Sequence, residues 1–353
     1  MLTTQPPLRR RLTIAAATAV LALTSTALTS VGTASAAPPS QPGHAPKLAP
    51  GAENLQTAPK PALGFRTAVD GPADLTGDGK FDLLTKRGAE VAVHPGSGTL
   101  NNASTFGAPV TVKTGMSDRR WIGRGDLDAD GDEDLLSIST TGTLYIAPHT
   151  GTFNGTATFG TEYQFGTGWQ VADLVVISDF VGSDPNNPLE LDGRADILFR
   201  STGDNALHLY VNDGMVNGKP TFSYRGKVFN DYQVVRQLDM ADLTADGVPD
   251  FFTAMTDGSI WLFDMFADQD SSGNWVGKWY TLVNAPNANS VSASVVADVD
   301  NDTYPDWIAQ FPASGELHAI GNSGNWDPAH PETVFELPEH VVGTGWNVYD
   351  ATT

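Results

Sequence analysis

Five aspartate-rich turns, each leading straight into two adjacent apolar residues, limit what this chain can fold into more than any other feature. Asp74–Asp82 precedes Leu83-Leu84, and Asp126–Asp134 precedes Leu135-Leu136. Asp242–Asp250 precedes Phe251-Phe252, and Asp298–Asp306 precedes Trp307-Ile308. A fifth, stretched copy runs from Asp179 to Asp192-Gly193-Arg194-Ala195-Asp196 before Ile197-Leu198. The first aspartates step along the chain by 52, 53, 63 and 56 residues. A period of that size, carried by short apolar runs, marks a repeat architecture in which each unit is one small sheet.

Each unit has the same internal order. An aromatic or apolar residue (Phe65, Met116, Trp169, Tyr232) starts a strand about ten residues before the acidic turn, the apolar strand follows the turn, and a further strand comes after it. That further strand reads Val91-Ala92-Val93, Leu144-Tyr145-Ile146, Leu207–Tyr210, Ile260–Phe263 and Leu317–Ile320 in turn. Val110-Thr111-Val112 is of the kind that forms an outer strand, Gly, Pro, Asn and Asp fill the gaps, and no segment keeps a helical period. The expected fold is all-β: a β-propeller of four-stranded blades, five by this period, over residues 63–353. A stacked solenoid and a two-sheet sandwich are the alternatives. Gly343–Val348 copies Gly166–Val171, the start of a unit, without an acidic turn behind it. Either that fragment or Phe65–Val69 would pair with the first blade and close the ring, since an open sheet edge is a liability.

Carboxylates this close repel one another unless a hard cation sits between them, and oxygen donors on a tight turn suit Ca²⁺. Alternate positions supply the side-chain oxygens, a sixth-position Gly permits positive φ, the seventh offers a carbonyl and the ninth Asp closes the shell. The candidate ligands are therefore Asp74, Thr76, Asp78, Lys80 and Asp82; Asp126, Asp128, Asp130, Asp132 and Asp134; Asp242, Thr244, Asp246, Val248 and Asp250; and Asp298, Asp300, Asp302, Tyr304 and Asp306. The second set is the most complete. Thr76 and Thr244 remove a charge from two turns, and Thr303 replaces the sixth-position Gly in another. The stretched copy is not expected to hold metal in the same way. The plainer reading is that these are solvated Asp/Gly hairpin turns.

The strings DLTGDGKFDLL, DLDADGDEDLL, DLTADGVPDFF and DVDNDTYPDWI resemble the FG-GAP or VCBS repeats of integrin-α-type β-propellers. The Gly-x-Gly-Trp lead-in is similar to versions found in secreted proteins of actinobacteria. The resemblance covers about Leu63 to the C-terminus and implies a calcium site in the hairpin between the first two strands of a blade. It implies no catalysis, because such propellers occur alone, as adhesion or lectin-like domains, and attached to enzymes.

The amino-terminal residues read as a secretory signal peptide over 1–36: Arg9-Arg10-Arg11, an apolar stretch from Leu12, then Ala34-Ser35-Ala36. Residues 37–62 are rich in Pro and Ala without periodicity and read as an extended, disordered linker. A secreted protein with no membrane span after cleavage is the expectation. The formal charge of −21 excludes nucleic acid and anionic lipid as partners, since phosphate binding needs Lys and Arg. With no cysteine, bound cations would supply the cross-links that disulfides give other exported chains.

No G-x-S-x-G, H-E-x-x-H, Walker or dinucleotide motif is present. Tyr145, His208, Trp261 and His318 occupy one equivalent third-strand position, with Val91 in the remaining unit. They are candidates for a ligand-binding ring, or for packing between blades. The function expected is a non-catalytic binding or scaffold module for an extracellular glycan or cell-wall polymer. Two alternatives stand beside it: a polysaccharide-degrading enzyme using those aromatic and His side chains, and an adhesion domain for a cell-surface protein.

Overall fold

The structure is a computed structural model, and it describes residues 46–49, 73–182, 191–269, 271, 275–283, 291, 293–336 and 339–353. The signal peptide, most of the linker and Phe65–Val69 lie outside them.

The chain forms five antiparallel sheets, each a blade of a β-propeller. Blade I holds β2 (Leu83–Arg87), β3 (Glu90–His94) and β4 (Val110–Lys113). Blade II runs β5 (Arg119–Gly125), β6 (Asp134–Ser139), β7 (Thr143–Ala147) and β8 (Tyr163–Thr167). Blade III runs β9 (Ala172–Ser178), β10 (Asp196–Ser201), β11 (Leu207–Val216) and β12 (Lys219–Asn230). Blade IV runs β13 (Val235–Ala241), β14 (Asp250–Met255), β15 (Ile260–Gln269) and β16 (Trp275–Val283). Blade V runs β17 (Ala293–Ala297), β18 (Asp306–Phe311), β19 (Glu316–Ile320) and β20 (His340–Thr344). The first strands form the hub: β5 lies against β9, β9 against β13 and β13 against β17.

The two apolar residues after each acidic turn explain how the blades stack. Neighbours on a strand point to opposite faces, so such a pair feeds both seams beside its blade. Leu83 packs into the cluster shared by blades V and I, and Leu84 into that of I and II. Leu135 and Leu136 divide between the I/II and II/III seams, Ile197 and Leu198 between II/III and III/IV. Phe251 and Phe252 divide between III/IV and IV/V, Trp307 and Ile308 between IV/V and V/I. Burying one such side chain contributes about 1.5–3 kcal/mol, so five pairs in register favour this arrangement strongly.

Short 3-10 turns at Trp169–Val171, Tyr232–Val234 and Trp346–Val348 carry the chain from one blade to the next. Trp169 and Tyr232, expected to begin strands, sit in these turns because the residue before each takes positive φ, +94° at Gly168 and +58° at Asp231. A side chain of the preceding blade holds each turn. The Arg120 and Arg200 guanidiniums donate to the carbonyls of Trp169 and Tyr232, and the Gln310 amide donates to that of Trp346.

The ring closes through β21 (Ala351–Thr352), which pairs with β2 and becomes the inner strand of blade I. Gly343-Thr344 ends the outer strand of blade V, and the residues beyond Trp346 make the join. Backbone bonds between Leu84 and Thr353, and a 3.1 Å ion pair from Lys86 to Asp350, fasten it. Within the stretch read as linker, Lys47–Leu48 (β1) forms a fifth strand on the outer edge of blade III, beside Asn230 and Phe229. Trp279 of blade IV donates to the Pro46 carbonyl at 3.1 Å, so this segment spans two blades. Among the described residues no helix is long and apolar enough to cross a membrane.

Candidate functional site

The five acidic turns, numbered by blade, each lead into the second strand of their blade, in blades II to V from its first strand, and share one hydrogen-bonded frame. The first-position carboxylate accepts from the sixth-position N–H in every turn: Gly79 to Asp74, Gly131 to Asp126, Gly193 to Asp179, Gly247 to Asp242 and Thr303 to Asp298. In turns II to V the fifth-position carboxylate accepts the seventh-position N–H, from Asp132, Arg194, Val248 and Tyr304. The sixth position has positive φ throughout, including +81° at Thr303, where a β-branched side chain is strained. Asp and Gly thus supply the hydrogen bonds and the backbone freedom that shape the curl.

The ninth-position aspartates Asp82, Asp134, Asp196, Asp250 and Asp306 are almost fully buried. Most of their oxygens hold backbone. Asp82 accepts from Thr76 and Gly96, Asp134 from His149, and Asp306 from Val299 and Asn322. Asp196 accepts three N–H groups, from Phe180, Val181 and Asn212. Burial, with repulsion from the other turn carboxylates, raises Asp134 and Asp306 to about 7. Asp196 and Asp250 are pushed well above the usual carboxylate range, again chiefly by burial.

The third position separates the turns. Asp128 Oδ1, Asp300 Oδ1 and Thr244 Oγ1 are buried without a hydrogen-bond partner, whereas the Thr76 hydroxyl donates to Asp74 at 3.3 Å. In turn II, oxygens of Asp126, Asp128 and Asp130 lie within 4.8 Å of one another, and in turn V those of Asp298, Asp300 and Asp306 do. Burial, then the neighbouring carboxylates, pushes Asp128 and Asp300 upward; a cation among these oxygens would reverse that. Orphaned acceptors inside a converging all-oxygen set fit a hard divalent cation.

Turns I and III carry their own positive charge at the seventh position. Lys80 Nζ sits 3.0 Å from Asp78, and Arg194 Nη2 sits 2.6 Å from Asp192. Turn III also places Val181, which has no donor oxygen, at the third position. Neither basic partner stood out in the sequence, although Lys80 and Arg194 occupy the same place in the repeat. Turn V borders a cavity of about 460 Å³ that Asp300, Asp302, Tyr304, Asn322 and His340 help to line.

The four aromatic candidates stand one to a blade on third strands, away from the hub of first strands, and they do not meet. The Arg119 guanidinium lies 4.0 Å from the Tyr145 ring centre. Trp261 donates to Ser259 Oγ at 2.5 Å and is buried. His318 is buried between Glu316 and Glu339, each at 3.3 Å; burial opposes its charge, but the two carboxylates outweigh burial and raise its pKa. His208 lies on Phe199 and bonds to Tyr224 and Asp204.

No protein-family model matches the chain, and no curated protein matches it. Among solved structures, TcdB2-TccC3 without its hypervariable C-terminal region is similar over 77% of this chain and 13% of its own, at 16% identity and a TM-score of 0.26. TcdB2-TccC3-Cdc42 is similar over 80% of this chain and 14% of its own, at 18% identity and a TM-score of 0.29. The chain therefore spans about one-seventh of the structures it matches, and likeness at this level carries no argument about function.

Proposed function

We propose that this chain is a secreted, calcium-stabilised β-propeller of the FG-GAP/VCBS type that works as a non-catalytic binding or scaffold module. An extracellular glycan or cell-wall polymer is its ligand class. One observation carries the calcium reading: turns II and V converge carboxylates on a third-position oxygen that is buried and unpartnered. Asp126, Asp128, Asp130 and the Asp132 carbonyl would hold one ion, and Asp298, Asp300 and Asp306 another. The ions would neutralise charge that burial and repulsion otherwise make costly, and would tie the first strand of a blade to its second. The binding reading rests on propeller loops, which form broad faces where function concentrates. It is an inference from fold and composition. The hydrolase alternative has less support, because His208 and His318 are buried and bonded within their own blades.

Thermal unfolding in excess EDTA and in millimolar Ca²⁺ tests the metal. A calcium-dependent rise in Tm, lost in the Asp128→Ala/Asp130→Ala variant, supports it; superimposed curves in both media overturn it. Glycan-array binding in calcium tests the ligand class.

A further inference from the structure

The seam between blades II and III brings its aromatic packing out to solvent. The three 3-10 turns described between blades place an aromatic ring at the same position, and two of these are buried, Tyr232 at 0% exposure and Trp346 at 8%. Trp169, the third, is half-buried. From it the rings continue outward across blade III. Trp169 packs 5.3 Å from Phe199 and 5.9 Å from Tyr210 between ring centres. Phe199 stacks on His208 at 5.1 Å and 18°, and His208 on Tyr224 at 5.9 Å and 27°. Tyr224 is the most exposed aromatic side chain among the described residues, at 51%.

That exposed ring is nevertheless held in place. Asp204 sits 3.1 Å from His208 Nε2, and a carboxylate only accepts, so Nε2 carries the proton. In the neutral imidazole Nδ1 is then the acceptor, and the Tyr224 hydroxyl donates to it at 2.8 Å. Lys227 Nζ lies 3.0 Å from the other Asp204 oxygen. Burial is the largest single influence and works against the Asp204 charge, but bonds from His208, Lys227 and the Ala206 N–H together outweigh it and bring its pKa down to about 2. Asp204 and Lys227 cancel, so the surface offers a flat ring, an acceptor and a donor with no net charge. Fixing a half-exposed tyrosine with a buried imidazole adds little to a core; it does pre-organise a ring for a ligand.

We propose that this surface binds a neutral saccharide unit, its apolar ring face stacked on Tyr224 and its hydroxyls bonded to Asp204 and Lys227. Trp169 and Tyr210 extend the platform toward blade II, and His208 is the positioning residue that fixes the tyrosine. The chemistry selects the class: a cation would find no excess negative charge here, an anion no excess positive charge, and a purely apolar ligand would bury the Asp204–Lys227 pair. The inference rests on the glycan reading above but needs no calcium at the site.

The test titrates the full chain with soluble neutral oligomers of hexose, N-acetylhexosamine and pentose, by calorimetry and by tryptophan fluorescence. One oligomer is expected to bind and to perturb the fluorescence. Tyr224→Ala should weaken binding about tenfold or more while the protein stays folded, with the Tm lowered by only a few degrees. Tyr224→Phe keeps the ring but loses the bond to His208, and should weaken binding about two- to fivefold with the Tm lowered by only a few degrees. Binding measured below the melting temperature should be the same in EDTA and in millimolar Ca²⁺. Wild type that binds none of the oligomers overturns this site, and wild type that also binds nothing on the glycan array overturns the glycan reading with it. Wild-type binding left intact by Tyr224→Ala overturns the site alone.

Discussion

Turns II and III are folded over the same frame and differ in the charge that completes it. In both, a first-position aspartate accepts a sixth-position N–H, at 2.9 Å in turn II and 2.8 Å in turn III, and a ninth-position aspartate is buried against backbone donors. Turn II then gathers the oxygens of Asp126, Asp128 and Asp130. Turn III puts Val181 in place of the third-position oxygen and lays Arg194 on Asp192. The comparison separates two jobs that a run of aspartates merges: the first, fifth, sixth and ninth positions shape the curl, and the third and seventh decide whether it gathers an unpartnered oxygen or carries a basic side chain.

If the frame is independent of the ion, its loss should cost the same with or without metal. Asp196→Ala strands three backbone N–H groups in a fully buried place and is expected to destabilise by about 3 kcal/mol or more. Urea unfolding in EDTA and in Ca²⁺ should show equal losses; a loss confined to calcium would merge the two jobs again.

Calcium should act through turns II and V. At a free concentration a hundred times its dissociation constant, one site adds about 2.7 kcal/mol, and Asp128→Ala or Asp300→Ala should each remove one site's share. This effect should grow with pH. In the metal-free fold Asp134 and Asp306 keep their protons up to about pH 7, above the 3.8 of an unfolded aspartate. The metal-free fold therefore holds extra protons between about pH 4 and 7, and its stability falls as pH rises across that window. A calcium-induced Tm shift that does not change from pH 5 to pH 7.5 would contradict this.

Turn I invites conversion. Thr76→Asp with Lys80→Gln replaces its internal charge balance by a turn II donor set, and calorimetry should count one more calcium per chain. The gain should be about 1–2 kcal/mol in calcium, less than a native site gives, because the Lys80–Asp78 pair is lost. The smallest effect expected is at Thr303, where Gly would relieve the +81° φ of a β-branched residue and stabilise turn V by about 1 kcal/mol in thermal melts.

Much of this fold could be read before any coordinates. A pair such as Leu135-Leu136 directly after a turn belongs to a strand covered on both faces, and the period of the turns separates the blades. Other features are silent in one dimension. Nothing in Pro46–Ala49 marks it as the edge partner of a strand some 180 residues away, since that pairing uses backbone atoms alone. The closure by Ala351-Thr352 rather than by the Gly-x-Gly-Trp fragment depends on a 3-10 turn whose geometry only the neighbouring blade explains. At the candidate site, the ninth-position aspartate looks the same in sequence whether it ligates an ion or holds backbone, and Asp196 does the second. His208 was visible as one of four equivalent third-strand residues, but Tyr224 and Lys227 reach it only through bulged pairing between β11 and β12.

The join between Lys86 and Asp350 spans 264 residues. A chain that emerges amino-terminus first can therefore form blades II to V in order, while blade I waits with three strands and a bare inner edge. The ladder between Thr85 and Thr352 joins strands across the greatest sequence distance of any pairing among the described residues, so blade I is expected to be completed late. The short strand Ala351–Thr352 is the latch of the ring.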